Sequence, residues 1–189
     1  RGLGDVYKRQ DGHCVIIKIA SEKGVFQMDG HLRNMASIYI MSENKMLMLY
    51  RIGSRVIAPS WCGIGGHFEK DELNDAERAM LRELKEEINL GEDDLENIKL
   101  RYIALRNKNG EIRINYYFFA DLCEGVSVQA HCNEGKLQWV DFEKVTEKKM
   151  PYTAEYVLKH YMEKGRYTDC LYCAAAKKEM VVFTELENF

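Results

Sequence analysis

Residues 61–90 read WCGIGGHFEKDELNDAERAMLRELKEEINL, and this stretch sets the expectation for the rest of the chain. Its second half has helical periodicity. At ~100° per residue, Glu83, Glu86 and Glu87 share one face, and Leu81, Leu84 and Ile88 share another as a core-facing stripe. One side of the helix is thereby anchored while the other presents three carboxylates. Like charges this close repel, and a shared site for hard cations would account for them. The alternative is a solvated acidic face on which Arg82 pairs with Glu86 one turn later. Upstream, Gly63, Gly65 and Gly66 form a glycine turn after an apolar strand, and such a turn lets backbone approach a ligand closely.

The stretch resembles the Nudix box, G-x5-E-x7-R-E-U-x-E-E-x-G-U, where U is a bulky apolar residue. Gly66 and Glu72 match its first half, and Arg82, Glu83, Leu84, Glu86, Glu87 and Leu90 match its second. The WCGIGG lead-in is similar to the approach to the box in nucleotide-cleaning members. There are two departures. Nine residues, 73–81, separate Glu72 from Arg82 where the pattern has seven, which lengthens the loop before the helix and leaves the role of Glu72 open. Asn74 is the expected N-cap, with Glu77 three residues on as a capping box. Asn89 stands where the box ends on Gly, and Asn tolerates the required left-handed conformation best among the other residues.

The 189 residues suggest one domain with a sizeable core, and 46% hydrophobic content with only two prolines argues against disorder. A net charge of −3 gives no push toward nucleic acid or an anionic membrane. No apolar run is long enough to span a bilayer and there is no signal-peptide pattern, so a cytoplasmic location is expected. Of six cysteines only Cys170 and Cys173 make a C-x2-C. No second pair completes a zinc site, and i and i+3 on a strand point to opposite faces, so free thiols are expected. Residues 1–10, RGLGDVYKRQ, resemble a translated sequencing-adapter tail. Residues 11–27 are either translated leader ahead of a native start at Met28 or contain a real strand at 14–19, and the domain proper is taken as 28–189.

The remaining chain reads as strands at 36–41 and 45–50, the box, a strand at 100–106, and a turn at 107–110. An apolar-aromatic strand follows at 111–122, suited to burial on both faces. A polar loop at 129–136 carries His131 and Glu134, and a short strand spans 137–142. A second helix is expected over 151–164, with Pro151 in its first turn and Gly165 after its end. A C-terminal hairpin joins 170–176 to 180–186, and it could cover a sheet edge or pair with a second subunit as a homodimer. The fold class is α+β: the resemblance, over about residues 35–164, implies a Nudix-like α/β/α sandwich with a mixed sheet, plus the C-terminal hairpin.

The resemblance implies a Mg²⁺-dependent pyrophosphohydrolase, with Mn²⁺ as a substitute, acting on a nucleoside di- or triphosphate or a related diphosphate. Glu83, Glu86, Glu87 and the Gly65 carbonyl would hold the metal, and Arg82 would orient the carboxylates. Glu134 or Glu83 would be the general base; the Glu134-Gly135 pair before Trp139 is similar to a loop that supplies a carboxylate in antimutator members. Arg51, Arg55, Gly66 and His67 are the candidate substrate-binding residues, Arg being suited to bidentate phosphate contact. An 8-oxo-dGTP-like substrate fits the group, but the base-reading amide or carboxylate expected near Cys62 or after Pro151 is missing, with Tyr152, Thr153 and Ala154 at the latter place. The rival readings are a non-catalytic nucleotide-binding regulator and an isopentenyl-diphosphate-isomerase-like enzyme, the latter hinted at only by Cys62.

Overall fold

The computed structural model describes residues 18–21, 24–27, 31–52, 58–132 and 134–186. The adapter-like residues 1–10, the start at Met28 and Arg55 lie outside them. Two short strands, β1 (Lys18–Ser21) and β2 (Gly24–Gln27), pair with each other as a separate ribbon. The main sheet has nine strands: β3 (His31–Ser42), β4 (Lys45–Arg51), β5 (Ser60–Cys62), β6 (Leu95–Lys108), β7 (Glu111–Leu122), β8 (His131–Cys132), β9 (Gly135–Asp141), β10 (Leu171–Ala176) and β11 (Val181–Leu186). They lie in the order β11-β10-β6-β7-β3-β4-β9-β8, with β5 attached to β4. β3 runs parallel to β7, and β10 parallel to β6; the other pairings are antiparallel, so the sheet is mixed.

Helix α1 (Ala76–Ile88) covers one face and α3 (Tyr152–Glu163) the other, with a single turn, α2 (Phe142–Val145), after β9. The period of two in the strands divides the core between them. Ile38, Ile40, Leu47, Leu49, Phe118 and Ala120 pack with Met80, Leu84 and Ile88 of α1. Tyr39, Met46, Met48, Tyr117 and Phe119 pack with Val157, Leu158 and Tyr161 of α3. The α/β/α sandwich and the strand buried on both faces therefore stand as the sequence implies. Leu81 is only half-buried, and Ala79 and Met80 take the inward positions beside Leu84.

Both ends of α1 are fixed by short polar side chains. Asp75, not Asn74, is the N-cap: its carboxylate accepts from the Arg78 N–H at 3.0 Å. Both residues are good caps, but the Asp75 N–H is already held by the Glu72 carbonyl at 2.9 Å, which places Asp75 at the first turn. Asn89 closes the helix with φ 59°. Pro151 sits at the N-cap of α3, one residue before the helix, and its carbonyl accepts from Glu155. The C-terminal hairpin extends the sheet beyond β6 and leaves β11 as the outer edge. Cys170 lies just ahead of β10 and Cys173 within it; both are free thiols.

The sheet is split where the box begins. β4 pairs with β3 only through residues 45–47, and β5 takes over that edge at Leu49, Tyr50 and Arg51. The glycine turn then crosses to β3. Ile38 and Ile64 exchange backbone hydrogen bonds at 2.8 and 3.1 Å, Ala36 N–H donates to Gly66, and Phe68 N–H donates to Asn34. Gly65 has φ +143°, and a Cβ there would lie 2.1 Å from the Ala36 carbonyl oxygen. Gly65→Ala should therefore cost about 3 kcal/mol or more by urea unfolding. Gly110→Ala, at φ +77° in open space, should cost only about 1–2 kcal/mol.

Candidate active site

Arg82 is the hub of the box. Its Nε and Nη2 donate to the two Glu72 oxygens at 2.8 and 3.1 Å, and its Nη1 reaches Glu83 at 3.0 Å and Glu86 at 3.3 Å. Nη2 also donates to the His67 carbonyl at 2.9 Å. Glu72 is buried and accepts a further hydrogen bond from the Glu69 N–H. The lengthened loop therefore still delivers Glu72 to Arg82. The Arg82 hydrogen bonds hold the Glu72 carboxyl below the ordinary carboxylate range. Exposed pairs such as Lys144–Asp141 contribute little. A buried carboxylate bound to a guanidinium is costly to break from one side.

The three helix carboxylates are not equivalent. Glu83 and Glu87 face the glycine turn with side chains 14% and 7% exposed, whereas Glu86 is 60% exposed. A Cβ on Gly66 would fall 2.4 Å from a Glu83 oxygen, so only glycine lets the turn lie on that carboxylate. Burial raises Glu83, and it pushes Glu87 up to about 7 against the pull of Arg51. Glu87 Oε2 is buried with no hydrogen-bond partner.

Arg51, at the end of β4, completes the arrangement. Its Nη2 donates to Glu87 and to the Gly65 carbonyl, each at 3.3 Å, and it is ion-paired with Glu134. The Ile52 N–H holds the Glu134 carbonyl, so the loop before β9 is tied to the end of β4. Glu134 thus reaches the carboxylate helix through Arg51. The His67 ring meets Arg33 at 2.6 Å, and its backbone carbonyl enters the Arg82 network. Among the described residues no three Asp, Glu, His or Cys side chains converge closely enough to cage an ion. Arg82 draws Glu83 and Glu86 to itself, and Arg51 draws Glu87 and Glu134. The donor set nevertheless suits a hard cation, since it is all oxygen and includes the unpartnered Glu87 Oε2.

A pocket opens beside this cluster on the α3 face of the sheet. Its lining includes Arg51, Gly65 and Cys62 from the strand end and glycine turn, and Arg106, Arg113 and Asn115 from β6 and β7. Sequence reasoning did not find Arg106, Arg113 or Asn115. They sit in long strands whose local pattern carries no motif, and only the pairing of β6 with β7 brings them here.

The model of the NUDIX domain matches residues 31–161, well over half of the chain, and the chain belongs to the Nudix family. By family it is a hydrolase of pyrophosphate bonds. Among solved structures it is similar to a Nudix hydrolase from Nitrosomonas europaea (16% identity, TM-score 0.64, covering 86% of this chain and 94% of the other). It is similar also to a MutT protein from Bacillus halodurans (19%, 0.59, 81% and 97%). A third likeness is to a C. elegans Ap4A hydrolase (20%, 0.55, 70% and 95%). A search among curated proteins finds no match. Among the described residues no helix is long and apolar enough to cross a membrane.

Glu72 gives a stability test with a defined sign. A carboxyl lowered by folding stabilises the protein above its unfolded pKa, and that contribution disappears as pH falls through the folded value. Glu72→Gln should lose on the order of 2 kcal/mol near neutral pH. The gap in Tm between wild type and variant should close as pH drops below the ordinary carboxylate range.

Proposed function

We propose that the chain is a Mg²⁺-dependent pyrophosphohydrolase of nucleoside di- or triphosphates or related diphosphates, with Mn²⁺ as a substitute metal. The observation that carries this reading is Glu87 beside Glu83 under Gly65 and Gly66, with one Glu87 oxygen buried and unpartnered. Glu83, Glu86, Glu87 and the Gly65 carbonyl would hold the metal, which when bound neutralises phosphate charge and makes water a better nucleophile.

The chain's own residues supply the rest. Arg82 fixes the carboxylates of Glu72, Glu83 and Glu86 by charge-assisted hydrogen bonds. Arg51 lines the pocket as well as the carboxylate cluster, so its planar fork can pass from Glu87 and Glu134 to a substrate phosphate. Arg55 and the Gly66 backbone are further phosphate contacts. Glu134 or Glu83 takes the proton from the attacking water. His67 contributes through its backbone. The substrate is a free small molecule rather than a nucleic acid, and the free thiols of the five cysteines among the described residues suit a cytoplasmic enzyme.

The isomerase-like reading gains nothing from Cys62. Its thiol is pushed up to about 11 by burial and points at the Leu49 carbonyl, which disfavours a reactive thiolate. A panel of nucleotides, dinucleoside polyphosphates, nucleotide sugars and prenyl diphosphates, scored for phosphate and pyrophosphate release with Mg²⁺, tests the proposal. Tight binding of nucleotides without any release would leave a non-catalytic regulator instead.

Glu86→Gln and Glu87→Gln should each lower turnover by orders of magnitude, because a hard-cation site loses a charged ligand. Without metal the Tm of Glu87→Gln should hold or rise, since a buried, imperfectly partnered carboxylate is removed. An unfolded Glu87→Gln protein would assign the residue a structural role. Glu134→Gln should reduce kcat by ~10²–10⁴ with little change in KM, while Glu143→Gln stays near wild type. If Glu134→Gln keeps its rate and Glu83→Gln does not, the base lies on α1.

A further inference from the structure

The pocket that meets the carboxylate cluster has an unusual charge. Three arginines line it, Arg51, Arg106 and Arg113, and among the described residues no Asp or Glu does, although the chain as a whole is at −3. Arg51 contacts Glu87 and the Gly65 carbonyl, where the diphosphate is expected. Arg106 and Arg113 contact neither, and they are direct register partners on β6 and β7. Like charges placed opposite each other on a strand pair are destabilising.

The local compensation is incomplete. Arg113 pairs with Glu111, but Glu111 is shared with Arg33 at 3.4 Å, so two cations divide one carboxylate. Arg106 has no carboxylate partner among the described residues; its guanidinium lies over the Tyr152 ring, 4.5 Å from the centroid. That contact engages the flat face of the guanidinium and leaves its in-plane N–H donors for another acceptor. Tyr152 occupies the place where a base-reading amide or carboxylate was expected after Pro151. Tyr39, which also lines the pocket, is fully buried and its hydroxyl has no hydrogen-bond partner.

We infer that the substrate carries a second anionic group, a phosphate or carboxylate remote from the scissile diphosphate, which Arg106 and Arg113 bind while Tyr152 holds Arg106 in place. The inference rests on the proposed function only in taking this pocket as the seat of the substrate's non-reacting end. It makes the specificity one of charge at that end rather than of a hydrogen-bonded base edge.

Isothermal titration calorimetry with ligands that contain no anhydride bond tests it, with Mg²⁺ present and at fixed ionic strength. Adenosine 3′,5′-bisphosphate is compared with AMP for the phosphate source, and glucuronic acid 1-phosphate with glucose 1-phosphate for the carboxylate source. One pair should show a preference of about tenfold or more for the doubly anionic member, and which pair does so identifies the group. Arg106→Gln should reduce that ratio to about twofold or less, and Lys99→Gln, outside the pocket, should leave it as it is. Arg106→Gln relieves a like-charge pair, so its Tm should hold or rise. Equal affinities in both pairs, or a preference that survives in Arg106→Gln, would overturn the inference. Hydrolysis of adenosine 3′-phosphate 5′-diphosphate and of ADP is then scored separately. A binding preference with no hydrolysis of these or of any compound in the substrate panel sinks the pyrophosphohydrolase reading alone, and equal hydrolysis without a binding preference sinks the anionic subsite alone.

Discussion

The Arg82 guanidinium ties together three pieces of chain that no continuous element joins: the glycine turn through the His67 carbonyl, the loop before α1 through Glu72, and α1 itself through Glu83 and Glu86. Hydrogen bonds to a charged group are individually stronger than neutral ones. Five of them converge here on one side chain, counting both Glu72 contacts. Because Glu72 is buried, either partner left alone would be an uncompensated charge in a low-dielectric setting. The glycine turn, the loop and the helix therefore keep one relative position, and the inner carboxylates inherit that precision.

Charge in the site is balanced by a division of labour between two arginines. Arg82 works on the outer side of α1 and holds geometry. Arg51 works on the inner side, where Glu87 is pushed up to about 7 and its second oxygen is unpartnered. A single guanidinium reaching Glu87, Glu134 and the Gly65 carbonyl compensates that corner only in part. The corner thus keeps a standing demand for positive charge beyond what the chain supplies. This is the physical sense in which a carboxylate cluster of this kind differs from an ordinary acidic helix face, where water screens each group separately.

The helix, its left-handed Asn89 terminus and the two-sided burial of 111–122 were legible because each follows from local periodicity or a single residue's conformational preference. The N-cap shifted from Asn74 to Asp75 because the choice between two adjacent good caps was made by a backbone contact to Glu72. Glu72 itself could not be assigned from spacing, since a loop with two added residues can end in many places and only the folded path shows that it returns to Arg82. Arg51 was recognisable as a phosphate-binding type, but its link to Glu134 depends on β9 closing alongside β4. Arg106, Arg113 and Asn115 lay out of reach altogether. Their proximity is set by a strand pairing and by the parallel placement of β7 beside β3, which no local pattern encodes.

The glycine turn is bonded into the gap between β3 and β4 by the same kind of backbone hydrogen bonds that join true strands. Segments that move in enzymes are usually those whose amides are exposed to solvent. Here the amides of Ile64 and Phe68 are locked to β3, so the turn opens only when the middle of the sheet opens. The backbone that faces the carboxylates consequently has the lifetime of the core rather than that of a surface loop, with proton exchange at those amides as slow as in the strands beside it. Adjustment to ligands of different shape is left to the side chains of Arg51 and Glu134 and to the strand ends that carry them.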